Sequence, residues 1–142
     1  MENENKALIR RYLEECIAKG DISLMDDLLT PDYAMHMNTL EFDLQGYKNY
    51  QPSVLGAFPD GRFVMEDMLA EGDRVVLRYT FYGTHRGEFM GLTATGKQVR
   101  VGGILISRIV DGRIAEEWEV FDAATMFRQM GMAWGRGNMR SE

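Results

Sequence analysis

Four strand-like segments that follow Gly61 constrain the fold of this chain more than any other feature. The pattern along each segment is typical of strands, and along the second segment the odd positions are more apolar than the even ones. The tripeptides EGD and VDG are typical of hairpin turns, and the longer loop EFMGLTATGK joins the second segment to the third. The sequence therefore predicts an antiparallel meander with the strands Arg62 to Ala70, Arg74 to His85, Gln98 to Ile109 and Arg113 to Phe121.

Helical patterns precede and follow this meander. In the first of them, Leu8, Tyr12 and Cys16 recur at the spacing of one helix face. Helices followed by an antiparallel meander predict an α+β fold, in which the helices pack on one face of a curved sheet. A strongly bent sheet closed at one end by helices forms a cone, and a cone of this size encloses a pocket. The predicted helices are Glu4 to Lys19, Asp21 to Leu29, Gly46 to Phe58 and Ala123 to Met130, with a short strand from Asp32 to Asn38.

Length and composition narrow the function classes. The 142 residues fit one domain, which we place at residues 1–131, with a C-terminal tail at 132–142. The formal net charge of -6 argues against a nucleic-acid partner, because phosphate contacts need clustered Lys and Arg. We expect a cytoplasmic protein, since the chain shows no membrane-spanning apolar run and no secretion signal. One cysteine and two histidines offer no cluster of metal ligands.

The last predicted strand carries the acidic residue on which a functional hypothesis can rest. With a strict period of two, Trp118 and Val120 lie on the buried face, and Asp122 follows at the end of that face. A carboxyl held against apolar neighbours has a raised pKa and suits proton transfer. Asp122 is therefore the candidate general base.

The other acidic residues of this strand divide between its two faces. Glu116 and Trp118 share the face of Asp122, which makes Glu116 the alternative acid or base and both residues candidate substrate contacts. Glu117 and Glu119 take the opposite face. There they are expected to meet solvent or to pair with arginines of a neighbouring strand.

The second strand of the meander supplies a candidate partner for Asp122. Its odd positions, which include Tyr79, Phe81 and His85, are more apolar than its even positions and are expected to face the pocket. A histidine titrates near neutral pH, so His85 could exchange protons with a substrate or orient Asp122. The alternative is a rim histidine bonded to loop backbone.

Tyr12 and His36 are two further candidate substrate contacts. Tyr12 lies on the apolar stripe of the first helix, where its hydroxyl could donate to a developing enolate, although core packing explains the position more simply. His36 lies between two methionines on the short strand, a setting in which a histidine is more often structural or solvated.

Four segments occur in a characteristic order: NKALIRRYLEECIAKGDISLMDDLLTPDY, AFPDGRFVMEDMLAEGDRVVLRYTFYGTH, GEFMGLTATGK and RIVDGRIAEEWEVFD. Together they resemble the SnoaL-like polyketide cyclases, or ester cyclases, of the superfamily named after nuclear transport factor 2. The resemblance implies a cystatin-like α+β barrel, in which a cone-shaped antiparallel or mixed sheet packs against N-terminal helices. It also implies a homo-oligomer with no metal or organic cofactor, and it places Asp122 where characterised cyclases have their acid/base aspartate.

These observations lead to one functional hypothesis and two alternatives. The hypothesis is a cofactor-independent enzyme that cyclises or isomerises an apolar, carbonyl-bearing small molecule, with Asp122 as base then acid and His85 as its partner. The first alternative resembles an epoxide hydrolase, in which Asp122 and Arg78 activate a water, and it requires Arg78 to point inward. The second is a non-catalytic small-molecule binder or dimerisation module.

Overall fold

A six-stranded curved sheet forms the framework of the molecule. The computed structural model describes residues 1–135 and 138–141, with side-chain surroundings through Met132. The strands of the sheet are β1 (Leu29–Met37), β2 (Leu40–Asp43), β3 (Arg62–Glu71), β4 (Arg74–Thr84), β5 (Gln98–Val110) and β6 (Arg113–Phe121). They lie in the order β2-β1-β6-β5-β4-β3, and β1 runs parallel to β6 while all other neighbours are antiparallel.

Helices cover the inner face of this sheet. Helix α1 (Glu2–Arg11) continues into a π-helical segment (Tyr12–Ile17), and a 3-10 turn (Ile22–Leu24) leads into the short helix α2 (Met25–Leu28). Helix α3 (Leu44–Ala57) follows β2, and α4 (Ala123–Gln129) follows β6. The predicted α+β fold, with N-terminal helices on a curved mixed sheet, is confirmed. None of the helices in the described part of the chain is long and apolar enough to cross a membrane.

The structure differs from the predicted elements in the first third of the chain. β1 begins at Leu29 and includes Pro31, so the predicted second helix is limited to the 3-10 turn and α2. β2 was not predicted, because LEFD is short and most of it is exposed on the sheet edge. It nevertheless completes a hairpin with β1 and carries Asp43, whose carboxylate accepts a hydrogen bond from the Gly46 amide at 2.8 Å and caps α3.

The segment predicted as a C-terminal tail contains two short strands. β7 (Met132–Gly135) and β8 (Asn138–Ser141) pair antiparallel with each other. Residues 136, 137 and 142 of this segment lie outside the described residues. The boundary between domain and tail at residue 131 stays a prediction.

A β-bulge near the start of β6 decides which side chains of that strand face inward. Arg108 of β5 pairs with Glu116, but the next residue, Ile109, pairs with Ile114, so Ala115 is an extra residue in β6. Ile114 and Ala115 are consequently both buried. Beyond the bulge the buried face is the one opposite to that predicted, since an extra residue exchanges the two faces of a strand.

Candidate active site

The curved sheet and its covering helices enclose a mainly apolar cavity. The π-helical segment and α3 form one wall, the inner faces of β3 to β6 form the other, and Phe89 of the loop between β4 and β5 reaches the same space. Eight of the lining residues are aromatic: Tyr12, Tyr47, Tyr50, Phe63, Tyr79, Phe81, Phe89 and Phe121. Such a lining favours a flat, unsaturated ligand over a charged one.

Glu119 supplies the carboxyl group of this cavity. It points inward from β6, and of the described residues that line the cavity it is the one with an acidic carboxyl. The Tyr79 hydroxyl donates a hydrogen bond to Glu119 Oε2. Burial raises the pKa of Glu119 to about 7, against the lowering effect of the Tyr79 hydrogen bond. A carboxyl with such a pKa can take and return a proton near neutral pH.

Gly103 makes the contact between Tyr79 and Glu119 geometrically feasible. Tyr79 pairs with Gly103 on β5, and Glu119 lies on β6, the next strand beyond. A Cβ atom added at Gly103 would lie 2.3 Å from Cζ and from the hydroxyl oxygen of Tyr79. The tyrosine ring therefore crosses the space that any side chain at Gly103 would occupy, and this brings its hydroxyl to the carboxylate.

Three further tyrosines line the cavity. Tyr47 and Tyr50 come from α3, and Tyr12 comes from the π-helical segment. Burial raises the pKa of each of them, so all three keep their protons and can act as hydrogen-bond donors. The Tyr12 hydroxyl is buried but makes no hydrogen bond of normal geometry, although it lies close enough to Tyr47 and Glu117 to affect their pKa values.

Asp122, the predicted base, is not a cavity residue. Its side chain is exposed and caps α4, accepting hydrogen bonds from the Thr125 amide at 3.1 Å and the Thr125 hydroxyl at 2.6 Å. These hydrogen bonds lower the pKa of Asp122, which contradicts the predicted increase. The expectation failed because β6 ends at Phe121, so Asp122 belongs to the helix cap and not to a strand face.

Substitution of Asp122 is expected to affect folding more than turnover. Asp122→Asn retains the cap and should leave kcat/KM within about twofold of the parent value, as for an ordinary surface change. Asp122→Ala removes the cap and should lower the thermal midpoint while the folded fraction stays active. Circular dichroism and a turnover assay measure the two effects separately, and a large loss of activity in folded Asp122→Asn would restore Asp122 as the base.

His85 is buried, but not as a partner of Asp122. Its Nδ1 lies 3.0 Å from the Thr95 hydroxyl, and its ring lies against Phe58 with centroids 5.6 Å apart. His85 is not among the described residues that line the cavity. The predicted pairing with Asp122 is wrong, since the Asp122 carboxylate is bonded to Thr125. The structure gives His85 a place at the base of the loop between β4 and β5.

His36, Glu116 and Trp118 lie together on the outer face of the sheet. His36 Nε2 is 2.7 Å from Glu116 Oε2, and the His36 ring stacks on Trp118 with centroids 5.7 Å apart. The Glu116 carboxylate raises the pKa of His36 and also pairs with Arg108 at 3.1 Å. The predicted placement of Glu116 and Trp118 in the pocket is wrong, because the bulge at Ala115 turns both outward.

Of the predicted contact residues, the structure brings three to the cavity: Tyr12, Tyr79 and Phe81. The expected alternation along β4 is confirmed, since its register with β5 is regular throughout. Sequence reasoning missed Glu119, which it assigned to the solvent face. The one local hint is the adjacent apolar pair Ile114 and Ala115 beside the turn, where strict alternation already fails.

Comparison with known proteins places this architecture in a family. The model of the SnoaL-like polyketide cyclases matches residues 7–130. The chain belongs to the SnoaL-like polyketide cyclase family. It is 31% identical over 139 residues to aklanonic acid methyl ester cyclase AcmA of Streptomyces galilaeus, with 93% of this chain and 94% of that protein covered.

Several solved structures superimpose on most of the chain. AclR of Streptomyces galilaeus, provisionally named a hydroxylase, has a TM-score of 0.83 and 30% identity, with 92% of this chain and 98% of that chain covered. IdmH of Streptomyces antibioticus, provisionally described as a polyketide cyclase, has a TM-score of 0.79 and 29% identity, with 89% and 98% covered. A SnoaL-like protein of Jannaschia sp. CCS1 reaches a TM-score of 0.85 at 20% identity over 91% and 92% of the two chains, which supports the fold alone.

Proposed function

We propose that this protein closes a ring in an aromatic polyketide by intramolecular aldol addition, with Glu119 as the acid/base residue. The observation that carries the proposal is a single titratable carboxyl, with a pKa near neutrality, inside an aromatic cavity of the described structure. The family and the similarity to AcmA, named as a cyclase of aklanonic acid methyl ester, favour a carbonyl-rich polyketide substrate.

The proposed reaction consists of two proton transfers and one carbon–carbon bond. Ionised Glu119 removes a proton from a carbon activated by an adjacent carbonyl, and a tyrosine hydroxyl of the cavity stabilises the enolate oxygen. The enolate carbon attacks a second carbonyl of the same molecule and forms the ring. Glu119, now protonated, returns its proton to the resulting alkoxide. The product is an isomer of the substrate, so the step is balanced without an oxidant or reductant.

The apolar walls contribute to this chemistry by holding one conformation of a flexible chain. Leu77, Val101 and Leu105 of the sheet and Met126 of α4 face the same space as the aromatic rings. Enclosing the two reacting carbons between such walls favours their encounter and excludes water from the enolate. Acid/base catalysis by itself contributes roughly a hundred- to ten-thousand-fold, and the enclosure must supply the remainder.

Incubation with aklanonic acid methyl ester in deuterated buffer tests this proposal. We expect a product that is isomeric with the ester, apart from incorporated deuterium, and has a different retention time, and we expect deuterium at the acidic carbon of recovered ester. If the protein produces no cyclised ester, and no deuterium exchange above the rate measured without protein, the proposed reaction is rejected for this compound. Repeating the incubation with other carbonyl-rich aromatic polyketides then separates a wrong substrate from a wrong reaction type.

The epoxide hydrolase alternative loses its structural basis. Arg78 is exposed and pairs with Asp67 at 2.6 Å, and Asp122 caps α4. Neither residue is among the described residues of the cavity wall. The binding-protein alternative has one specific point in its favour, the exposed Asp122. The presence of Glu119 in the cavity weighs against it. Self-association and a cytoplasmic location stay predictions.

Tyr79→Phe is expected to shift the pH dependence of turnover upward. Tyr79 donates a hydrogen bond that favours ionised Glu119, so its removal raises the pKa of Glu119 above about 7. Because the base must be ionised, the acid limb of the kcat/KM profile moves to higher pH, and activity at pH 7 falls more than activity at pH 9. Tyr50→Phe, which keeps this hydrogen bond, is the matched control; equal shifts in both variants would contradict the assignment.

A further inference from the structure

Glu117 is a second buried carboxyl that the proposed reaction does not yet use. Its side chain is 0% exposed, and its two oxygens accept hydrogen bonds from the Tyr33 hydroxyl at 2.6 Å and the Ser107 hydroxyl at 2.6 Å. It takes part in none of the ion pairs found among the described residues. Burying a carboxyl without a cation is costly, so a neutral residue would serve a purely structural purpose better.

Glu117 is a neighbour of Glu119 on the inner face of β6. The two residues share one face of β6 and lie two positions apart, which separates their Cα atoms by roughly 7 Å. Glu119 opens into the cavity, whereas Glu117 is sealed behind its wall. Tyr12 connects the two regions, because it lines the cavity while its buried hydroxyl, which has no hydrogen bond of normal geometry, lies near Glu117.

Among the described residues, the groups that act on the two carboxyls are hydroxyls and a thiol, and no cation is among them. Tyr33 on β1, Ser107 on β5 and Tyr12 on the π-helical segment face Glu117, and Cys16 of that segment lies within range of its charge. Tyr79 on β4 and Tyr47 and Tyr50 on α3 face Glu119. All of these groups are neutral at physiological pH, so the repulsion between the two carboxylates is not offset locally.

We propose that Glu117 is a positioning residue: its carboxyl group, held behind the cavity wall two residues from Glu119, equips Glu119 to act as base and then as acid. The proposal rests on the function proposed above for Glu119. It assigns Glu117 no contact with substrate. Its hydrogen bonds to Tyr33 and Ser107 keep it at a constant distance from Glu119 during the reaction.

The directions of the two pKa shifts agree with this arrangement. Burial raises the pKa of Glu117, and the hydroxyls of Ser107, Tyr33 and Tyr12 oppose that increase by favouring the ionised form. For Glu119, burial raises the pKa most, the Tyr79 hydrogen bond opposes it, and the charge of Glu117 raises it further. Two carboxyls so close lose their protons as a coupled pair.

Carbon-13 NMR titration of glutamate-labelled protein tests the proposal without relying on turnover. The Glu119 carboxyl signal is assigned by its loss in Glu119→Gln. We expect Glu117→Gln to lower the midpoint of Glu119 by about one pH unit, and to move the acid limb of the kcat/KM profile to lower pH in parallel. Glu116→Gln removes the same charge from the adjacent residue on the outer face and should leave the midpoint unchanged. A midpoint that moves equally in both variants, or in neither, overturns the proposal.

Ser107→Ala provides a second variant in case Glu117→Gln does not fold. Loss of the Ser107 hydrogen bond raises the pKa of Glu117, so Glu117 stays neutral over a wider range and the midpoint of Glu119 again falls. An unchanged midpoint in folded Ser107→Ala contradicts the coupling. If Glu119→Gln keeps full turnover while the Glu119 midpoint shifts in Glu117→Gln or Ser107→Ala, the proposed function fails and the coupling stands. If Glu119→Gln loses turnover but the midpoint shifts in neither of those variants, the coupling fails and the proposed function stands.

Discussion

Replacement of Glu119 by glutamine is expected to lower kcat by about a hundred- to ten-thousand-fold, the range that a positioned acid/base residue contributes. Glutamine keeps the size of the side chain and can still accept the hydrogen bond from Tyr79, but it cannot take up a proton at neutral pH. The loss should therefore appear in kcat more than in substrate binding. Steady-state kinetics with the polyketide ester, together with a binding titration, measure the two separately.

The same variant should be more stable than the parent protein at alkaline pH. The pKa of Glu119 rises from an ordinary 4.5 to about 7 on folding, so its effect on stability is unfavourable once the group ionises in the unfolded chain. Parent stability should fall as the pH rises from about 4.5 to about 7, by up to about 3 kcal/mol. Glu119→Gln should not show this decrease in stability, because glutamine does not ionise. Urea unfolding at pH 4.5 and pH 8 should show an advantage for the variant at the higher pH alone.

Loss of turnover combined with a gain in stability distinguishes a catalytic carboxyl from a structural one. Substitution of a structural residue would make the protein less stable, and turnover would fall because less protein is folded. Glu119→Gln that is fully active, or that is inactive but less stable than the parent at pH 8, would therefore count against the proposed role.

Gly103→Ala is expected to reduce kcat/KM at pH 7 by about ten- to a hundredfold, the equivalent of one hydrogen bond to a charged group. The new methyl group would lie 2.3 Å from the Tyr79 ring, so the ring must move and its hydroxyl must leave Glu119. Without that donor the pKa of Glu119 rises further and less of it is ionised at pH 7. The measurement is a pH profile of kcat/KM, whose acid limb should move upward as in Tyr79→Phe.

Gly102→Ala is the matched control for this substitution. Gly102 is the adjacent residue of β5, it faces outward, and a Cβ atom there meets no other atom within 4 Å. The control carries the same chemical change and the same effect on the unfolded chain. In the double variant with Tyr79→Phe, Gly103→Ala should add little to the loss of activity, since both changes remove one hydrogen bond. Additive losses would indicate that Gly103→Ala acts through general overpacking.

The sheet of the meander and its helices followed from local patterns. Alternation along β4 predicted correctly that Tyr79 and Phe81 face inward, because β4 and β5 pair in one unbroken register. Helical periodicity placed Tyr12 on a buried face, where it remains even though the chain there forms a π-helical segment. The parallel contact of β1 with β6 was not predicted, since it joins segments about eighty residues apart and depends on how the sheet closes.

By itself the sequence determined the α+β architecture, the apolar aromatic lining and the presence of acidic residues on the last strand, because propensity and periodicity act over a few neighbouring residues. Which of those acidic residues reaches the cavity was decided by the tertiary structure. One extra residue, Ala115, is accommodated in the pairing of β5 with β6, and it turns Glu119 inward and Glu116 outward. That bulge is a property of the pairing between β5 and β6, and no residue of β6 encodes it alone.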